Sequence, residues 1–127
     1  MKSTKIFFQN KKILIYGYGK TGKSAFNFLK KKNNLKVFDD DLSLTNLPSN
    51  KKFTRGSDRV NNFDYILLSP GVNYRKCLLS NEIIKNKEKI ISDLDVFYKS
   101  FPENFFITIT GTNGKSTTCK LLYQVLK

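Results

Sequence analysis

"KILIYGYGKTGKSAFNFLKKK", residues 12–32, is the stretch whose reading decides the fold. Lys12 to Gly17 is a short apolar run ended by glycine, the pattern of a parallel strand buried on both faces. After Gly22, residues Ala25, Phe28 and Leu29 fall at helical spacing, and Lys30 to Lys32 place cations at the helix's closing turn. Strand, glycine turn and helix in that order open a βαβ unit.

The alternation continues outward. "LKVFDD" (Leu35 to Asp40) reads as a second strand ending in acid, and residues 41–62 are polar, with a weak strand near Phe53. "DYILLSPG" (Asp64 to Gly71) is a strand stopped by Pro70 and Gly71. Cys77 to Lys87 has a helical pattern with Leu78, Leu79 and Ile83 on one face. "KIIS" follows as a brief strand, and Asp93 to Ser100 as a short helix. "FPEN" (Phe101 to Asn104) is a boundary, and "FFITIT" (Phe105 to Thr110) reads as a buried strand, rich in β-branched and apolar residues. Strands alternating with helices predict an α/β, Rossmann-like, mainly parallel sheet covered on both faces. The expected division is a sheet domain over 1–92, a short helix and linker over 93–104, and the opening of a second domain over 105–127. No internal repeat or low-complexity tract occurs.

Composition narrows the function. With 39% hydrophobic and 26% charged residues the chain is of globular type. No apolar run approaches the ~20 residues that span a bilayer. The patch Ile6 to Phe8 is too short for a signal-peptide core, so a cytoplasmic protein away from membranes is expected. Cys77 and Cys119, with no histidine and no CxxC, exclude a familiar zinc site and read as small core or half-buried residues. The net charge of +13 comes mostly from scattered lysines; Arg stands only at positions 55, 59 and 75. That distribution reads as a solvated surface favouring anionic ligands, not as a nucleic-acid face.

Three stretches carry chemistry. "GYGKTG" (Gly17, Tyr18, Gly19, Lys20, Thr21, Gly22) is a full G-x-G-x-x-G between strand and helix. Its glycines allow a tight turn, backbone approach to a diphosphate and close helix packing, and the helix N-terminus favours negative charge. Asp39 and Asp40, ending the next strand, suit hydrogen bonds to a ribose or base. "SPGV" (Ser69 to Val72) sits at the carboxyl end of a strand, the edge where open α/β sheets bind ligands. "TGTNGKST" lacks the first glycine of a standard P-loop, since Ile109 stands there, yet keeps its physics. Backbone N–H groups form a nest, Lys115 reaches β- and γ-phosphates, and the Ser116 hydroxyl can join a magnesium shell.

Those three pieces in that order, with "SDLDVF" (Ser92 to Phe97), resemble the Mur ligase family in its D-glutamate-adding branch, over essentially all 127 residues. "TGTNGKST" is similar to the ATP loop of Mur ligases and of their folylpolyglutamate synthase relatives, which accounts for the missing glycine. The resemblance implies that Gly17 to Gly22, Asp39, Asp40, Ser69 and Gly71 hold the UDP end of the substrate. It implies that Gly111, Thr112, Asn113, Gly114, Lys115, Ser116 and Thr117 hold ATP, with Lys115 catalytic and Ser116 near Mg2+. One position departs: Asp41 stands where relatives often have a basic residue, which unsettles the uracil contacts. The implied reaction is phosphoryl transfer from ATP to the carboxylate of UDP-N-acetylmuramoyl-L-alanine, then attack by the amine of D-glutamate. The implied whole protein is a monomeric ligase of peptidoglycan precursor synthesis. On this reading the chain is an N-terminal piece that binds the UDP-sugar and is inactive alone. An alternative, a nicotinamide- or flavin-dependent oxidoreductase, suits the glycine motif and Asp39 but leaves "GTNGKST" unexplained.

Overall fold

The computed structural model of the chain describes residues 7–41, 43 and 46–127. Parts of the Ile6 to Phe8 patch and of the 41–62 stretch lie outside those residues. Four strands, β1 (Lys12–Tyr16), β2 (Asn34–Phe38), β3 (Tyr65–Leu68) and β4 (Ile90–Ile91), form one all-parallel sheet in the order β2-β1-β3-β4. Helices α1 (Lys20–Leu29), α2 (Ser80–Lys85) and α3 (Asp93–Ser100) accompany the sheet, and α4 (Lys115–Leu126) follows. The expected Rossmann-like α/β sheet is therefore present. No described helix is long and apolar enough to cross a membrane.

The two-residue period of β1 divides the core. Ile13 and Ile15 enter one apolar layer with Ala25, Phe26 and Leu29 of α1 and Val96 of α3. Leu14 and Tyr16 enter the other with Phe53, Phe63, Leu79 and Ile83. A strand covered on both faces can be apolar throughout, as the Ile13-Leu14-Ile15 run is. After β2 the chain crosses to the far side of β1, and Ile13↔Tyr65 begins the β1–β3 register. The strand order thus reverses between β1 and β3.

Several expectations are corrected. Helix α1 starts at Lys20, before Gly22, so the buried stripe is Gly22, Ala25, Phe26 and Leu29. Phe28 is half exposed, because the i, i+3, i+4, i+7 series runs from the glycine. Lys30 caps the helix and Lys31 and Lys32 lie in the turn beyond, leaving no cation in the last turn. Helix α2 is shorter than Cys77–Lys87; Leu79 and Ile83 are buried, but Leu78 is exposed. Near Phe53 there is an isolated parallel bridge, Val37↔Lys52. Cys77 is buried as read, whereas Cys119 is exposed.

The largest correction concerns residues 105–110. They form no strand, and Phe105 is 91% exposed. Phe106 alone of that run packs on aromatic rings, at 5.5 Å from Phe97 and 5.1 Å from Tyr98. β-Branched apolar composition confers the capacity to pair, but a ladder needs a neighbouring backbone, and none among the described residues receives this segment. Replacing Ile66, fully buried in β3, by Ala is expected to cost about 2–5 kcal/mol in urea unfolding, whereas Phe105→Ala shifts stability by less than about 0.5 kcal/mol.

Helix α3 carries a complete capping box. The Ser92 hydroxyl accepts from the Asp95 N–H at 3.1 Å, and Asp95 accepts from the Ser92 N–H at 2.8 Å. The bond from the Ser92 N–H first, and a second from the Ser92 hydroxyl, which donates to the same carboxylate at 2.7 Å, hold the Asp95 carboxyl below its ordinary value. A depressed carboxylate stabilises the fold above its unfolded pKa near 4, and loses that contribution as pH falls through the lower folded value. Asp95→Ala is thus expected to cost about 1 kcal/mol at neutral pH. The deficit should shrink in acid, as measured by thermal unfolding across pH.

Candidate nucleotide cleft

The reversal of strand order opens a crevice at the carboxyl ends of β1 and β3, where open α/β sheets place their ligands. A cavity of about 510 Å3 lies there, walled by the glycine loop after β1, the acids after β2 and the loop after β3.

Hydrogen bonds tie these loops together. The Gly17 N–H donates to the Phe38 carbonyl at 2.8 Å, and the Ser69 N–H to the Tyr16 carbonyl at 3.0 Å. The Ser69 hydroxyl donates to the Gly17 carbonyl at 2.8 Å. Gly17 has φ +92, and a Cβ there would meet the Ser69 Cβ at 2.8 Å and Val72 at 2.9 Å. A Cβ at Gly22 would stand 2.0 Å from the Gly17 carbonyl oxygen. Gly17 is therefore glycine because its positive φ and the loop after β3 leave no place for a side chain, and Gly22 because the first turn of α1 is pressed against the Gly17 carbonyl. Gly19 differs: it caps α1 in extended backbone, lines the cleft, and has open space where a side chain would go. The fold makes no steric demand for glycine there.

Of the residues read from sequence as contacting UDP, Gly17, Gly19, Lys20, Thr21, Asp39, Asp40, Ser69 and Gly71 line the cleft. Tyr18 and Gly22 do not. The Tyr18 ring packs edge-on against Phe26 at 6.0 Å, and Gly22 is buried in the helix contact. The acid pair is engaged within the protein. Asp39 accepts from the Tyr18 N–H at 2.5 Å and from the Asp41 N–H at 2.9 Å. Asp40 accepts from the Tyr16 hydroxyl and, at 3.3 Å, from the Leu78 N–H. Burial first, and the bond to Asp40 next, push the Tyr16 hydroxyl well above its ordinary pKa, so it remains a donor.

Tyr16, Asn73, Lys76 and Cys77 also line the cleft and were missed from sequence. A phenol at the end of an apolar strand beside the glycine turn was the one available signal. Beyond Ser69 to Val72, the loop after β3 carries no motif. Residues 111–117 lie outside the cleft lining and are exposed. Their loop has Gly111 at φ +148 and Gly114 at φ +78, and α4 begins directly at Lys115. The Lys115 ammonium donates to the Gly111 carbonyl, curling over the loop. Thr112 and Asn113 lie between the two glycines, and Ser116 and Thr117 stand in the first turn of α4. No group of three or more metal-ligating side chains occurs among the described residues.

Because Asp39 ties two loop N–H groups, Asp39→Ala is expected to lower stability by about 1–3 kcal/mol in urea unfolding. Unchanged stability would mean that these bonds do not hold the loop.

No family model matches the chain, and no solved structure matches it significantly. Curated relatives do. The UDP-N-acetylmuramoylalanine–D-glutamate ligase of Rickettsia prowazekii (strain Madrid E) is 38% identical over 128 residues, covering 94% of this chain and 28% of the relative. The ligase of the same name from Francisella philomiragia is 37% identical, covering 95% and 28%. That of Oenococcus oeni is 31% identical, covering 94% and 26%. The chain spans about a quarter of the length of the curated relatives it matches. Along nearly all its residues the chain is similar to several ligases of one name, the UDP-N-acetylmuramoylalanine–D-glutamate ligases.

Proposed function

We propose that the cleft binds the uridine diphosphate end of UDP-N-acetylmuramoyl-L-alanine, and that the chain serves an ATP-dependent ligase adding D-glutamate to it in the cytoplasm. The observation that carries the reading is Gly19. A helix N-terminus opens onto the switch-point crevice through a residue whose missing side chain the fold does not require. Free space there lets a diphosphate approach the backbone, and the N–H groups and dipole of α1 favour its charge.

In this reading the loop Gly111 to Thr117 holds ATP. Backbone N–H groups between the two positive-φ glycines face the phosphates, and the Lys115 ammonium, now on the Gly111 carbonyl, swings to the β- and γ-phosphates. The Ser116 hydroxyl, one neutral oxygen in the exposed first turn of α4, would be the chain's ligand to a magnesium brought with the nucleotide. Bound magnesium would offset negative charge on the transferring phosphoryl group. The substrate carboxylate oxygen takes the γ-phosphoryl group, the β–γ bond breaks with ADP leaving, and the D-glutamate amine then displaces phosphate from the acyl phosphate. Lys115 stabilises charge during the transfer, because a fixed cation costs no reorganisation as charge builds.

Gly19→Val tests the reading. The variant is expected to stay folded, losing only the small stability that a valine cap costs α1, and to bind UDP at least about tenfold more weakly by calorimetry, a loss of about 1.4 kcal/mol. Equal affinity in both proteins, or preference of the parent for NAD over UDP, would sink it.

A further inference from the structure

Four cations surround the two principal loops of the cleft: Lys20 and Lys23 at the start of α1, and Arg75 and Lys76 after β3. The structure sorts them into two kinds. The Lys23 ammonium lies 5.7 Å from the centre of the Tyr18 ring, and the Arg75 guanidinium 5.7 Å from that of Tyr74. Arg75 Nε also donates to the Tyr74 hydroxyl at 3.4 Å. Neither lines the cleft. Lys20 and Lys76 do, one from each loop, and neither is in an ion pair among the described residues.

Backbone bonds hold Lys76 in place although its side chain is exposed. Its N–H donates to the Asn73 carbonyl at 3.0 Å. The next residue, Cys77, is buried with its Sγ 3.6 Å from the Tyr74 carbonyl, and the Leu78 N–H reaches Asp40. The third wall is opposite in charge. Asp39, Asp40 and Asp41 follow β2 as three successive carboxylates, and the first two line the same cavity. Like charges a few ångströms apart repel strongly where water is displaced. A polyphosphate is driven from that wall toward the lysines.

Resting on the nucleotide reading of the cleft, we propose that Lys76 is a second, positioning cation for the diphosphate. Lys20 and Lys76 take the phosphates between the two loops, and the carboxylates after β2 take the uridine end, which offers N–H and hydroxyl donors. Lysine suits the role because a flexible ammonium follows a phosphate without needing a fixed fork geometry.

The test is titration of the full chain with UDP and with uridine, at low and moderate salt, followed by NMR. Lys76→Gln is expected to weaken UDP about tenfold, flatten the salt dependence of UDP binding, and leave uridine unchanged. Lys76→Arg should retain most of the UDP affinity, and Arg75→Gln should match the parent for both ligands. Parent-like UDP binding by Lys76→Gln, an equal loss of uridine, or an equal loss in Arg75→Gln would overturn the role of Lys76 alone. A parent chain that binds neither ligand overturns the nucleotide reading and this assignment with it.

Discussion

The contact between the Ser69 hydroxyl and the Gly17 carbonyl, 2.8 Å long, joins the ends of β1 and β3 where the strand order reverses. The same carbonyl oxygen lies where a side chain on Gly22 would go, 2.0 Å from an ideal Cβ. One peptide group is thus gripped by a hydroxyl from β3 and by the first turn of α1. Everything that forms the cleft follows from this. Seating α1 there aims its N-terminus at the crevice, and fixing Ser69 sets where the next loop begins. The grip admits no side chain at Gly17 or Gly22, and the free space at Gly19 is what remains for a ligand.

The acids after β2 change meaning in this setting. As strand-end carboxylates they suit a ribose or base, yet both already hold groups of the protein. Asp39 gathers the Tyr18 and Asp41 N–H groups, and Asp40 gathers the Tyr16 hydroxyl and the Leu78 N–H. Leaving such donors unpaired on a partly buried loop costs more than the bonds themselves contribute. Positioning the loop and meeting a ligand are compatible, because a carboxylate has about four acceptor sites. Substitution of either acid therefore disturbs the loop itself, whatever the ligand.

Two loops of the chain have the glycine turn and helix start that suit an anion, with different degrees of structural support. The glycine loop is braced by a sheet on one side and a helix packed into an apolar layer on the other. The second loop, Gly111 to Gly114, has the positive-φ glycines and the helix start of a nest, but its residues are exposed and the segment before it joins no sheet. Its local geometry is set by glycine and helix initiation, which need only neighbours in sequence.

Much of the sheet was legible in the residues themselves. Unbroken apolar runs such as Ile13-Leu14-Ile15 and Ile66-Leu67 imply strands covered on both faces, and α3 was read with its observed limits, Asp93 to Ser100. The glycine turn was legible because each of its demands is local. Other features depended on partners distant in sequence. Whether Phe105 to Thr110 becomes a strand rests on a neighbouring backbone, which its composition cannot supply. That Phe26 and not Phe28 is buried follows from a stripe beginning at Gly22, visible only once α1 is docked. The sorting of cations is likewise tertiary. Lys23 and Arg75 fold onto tyrosines while Lys20 and Lys76 line the cleft, because where a long side chain rests depends on which aromatic face or cavity the fold brings beside it.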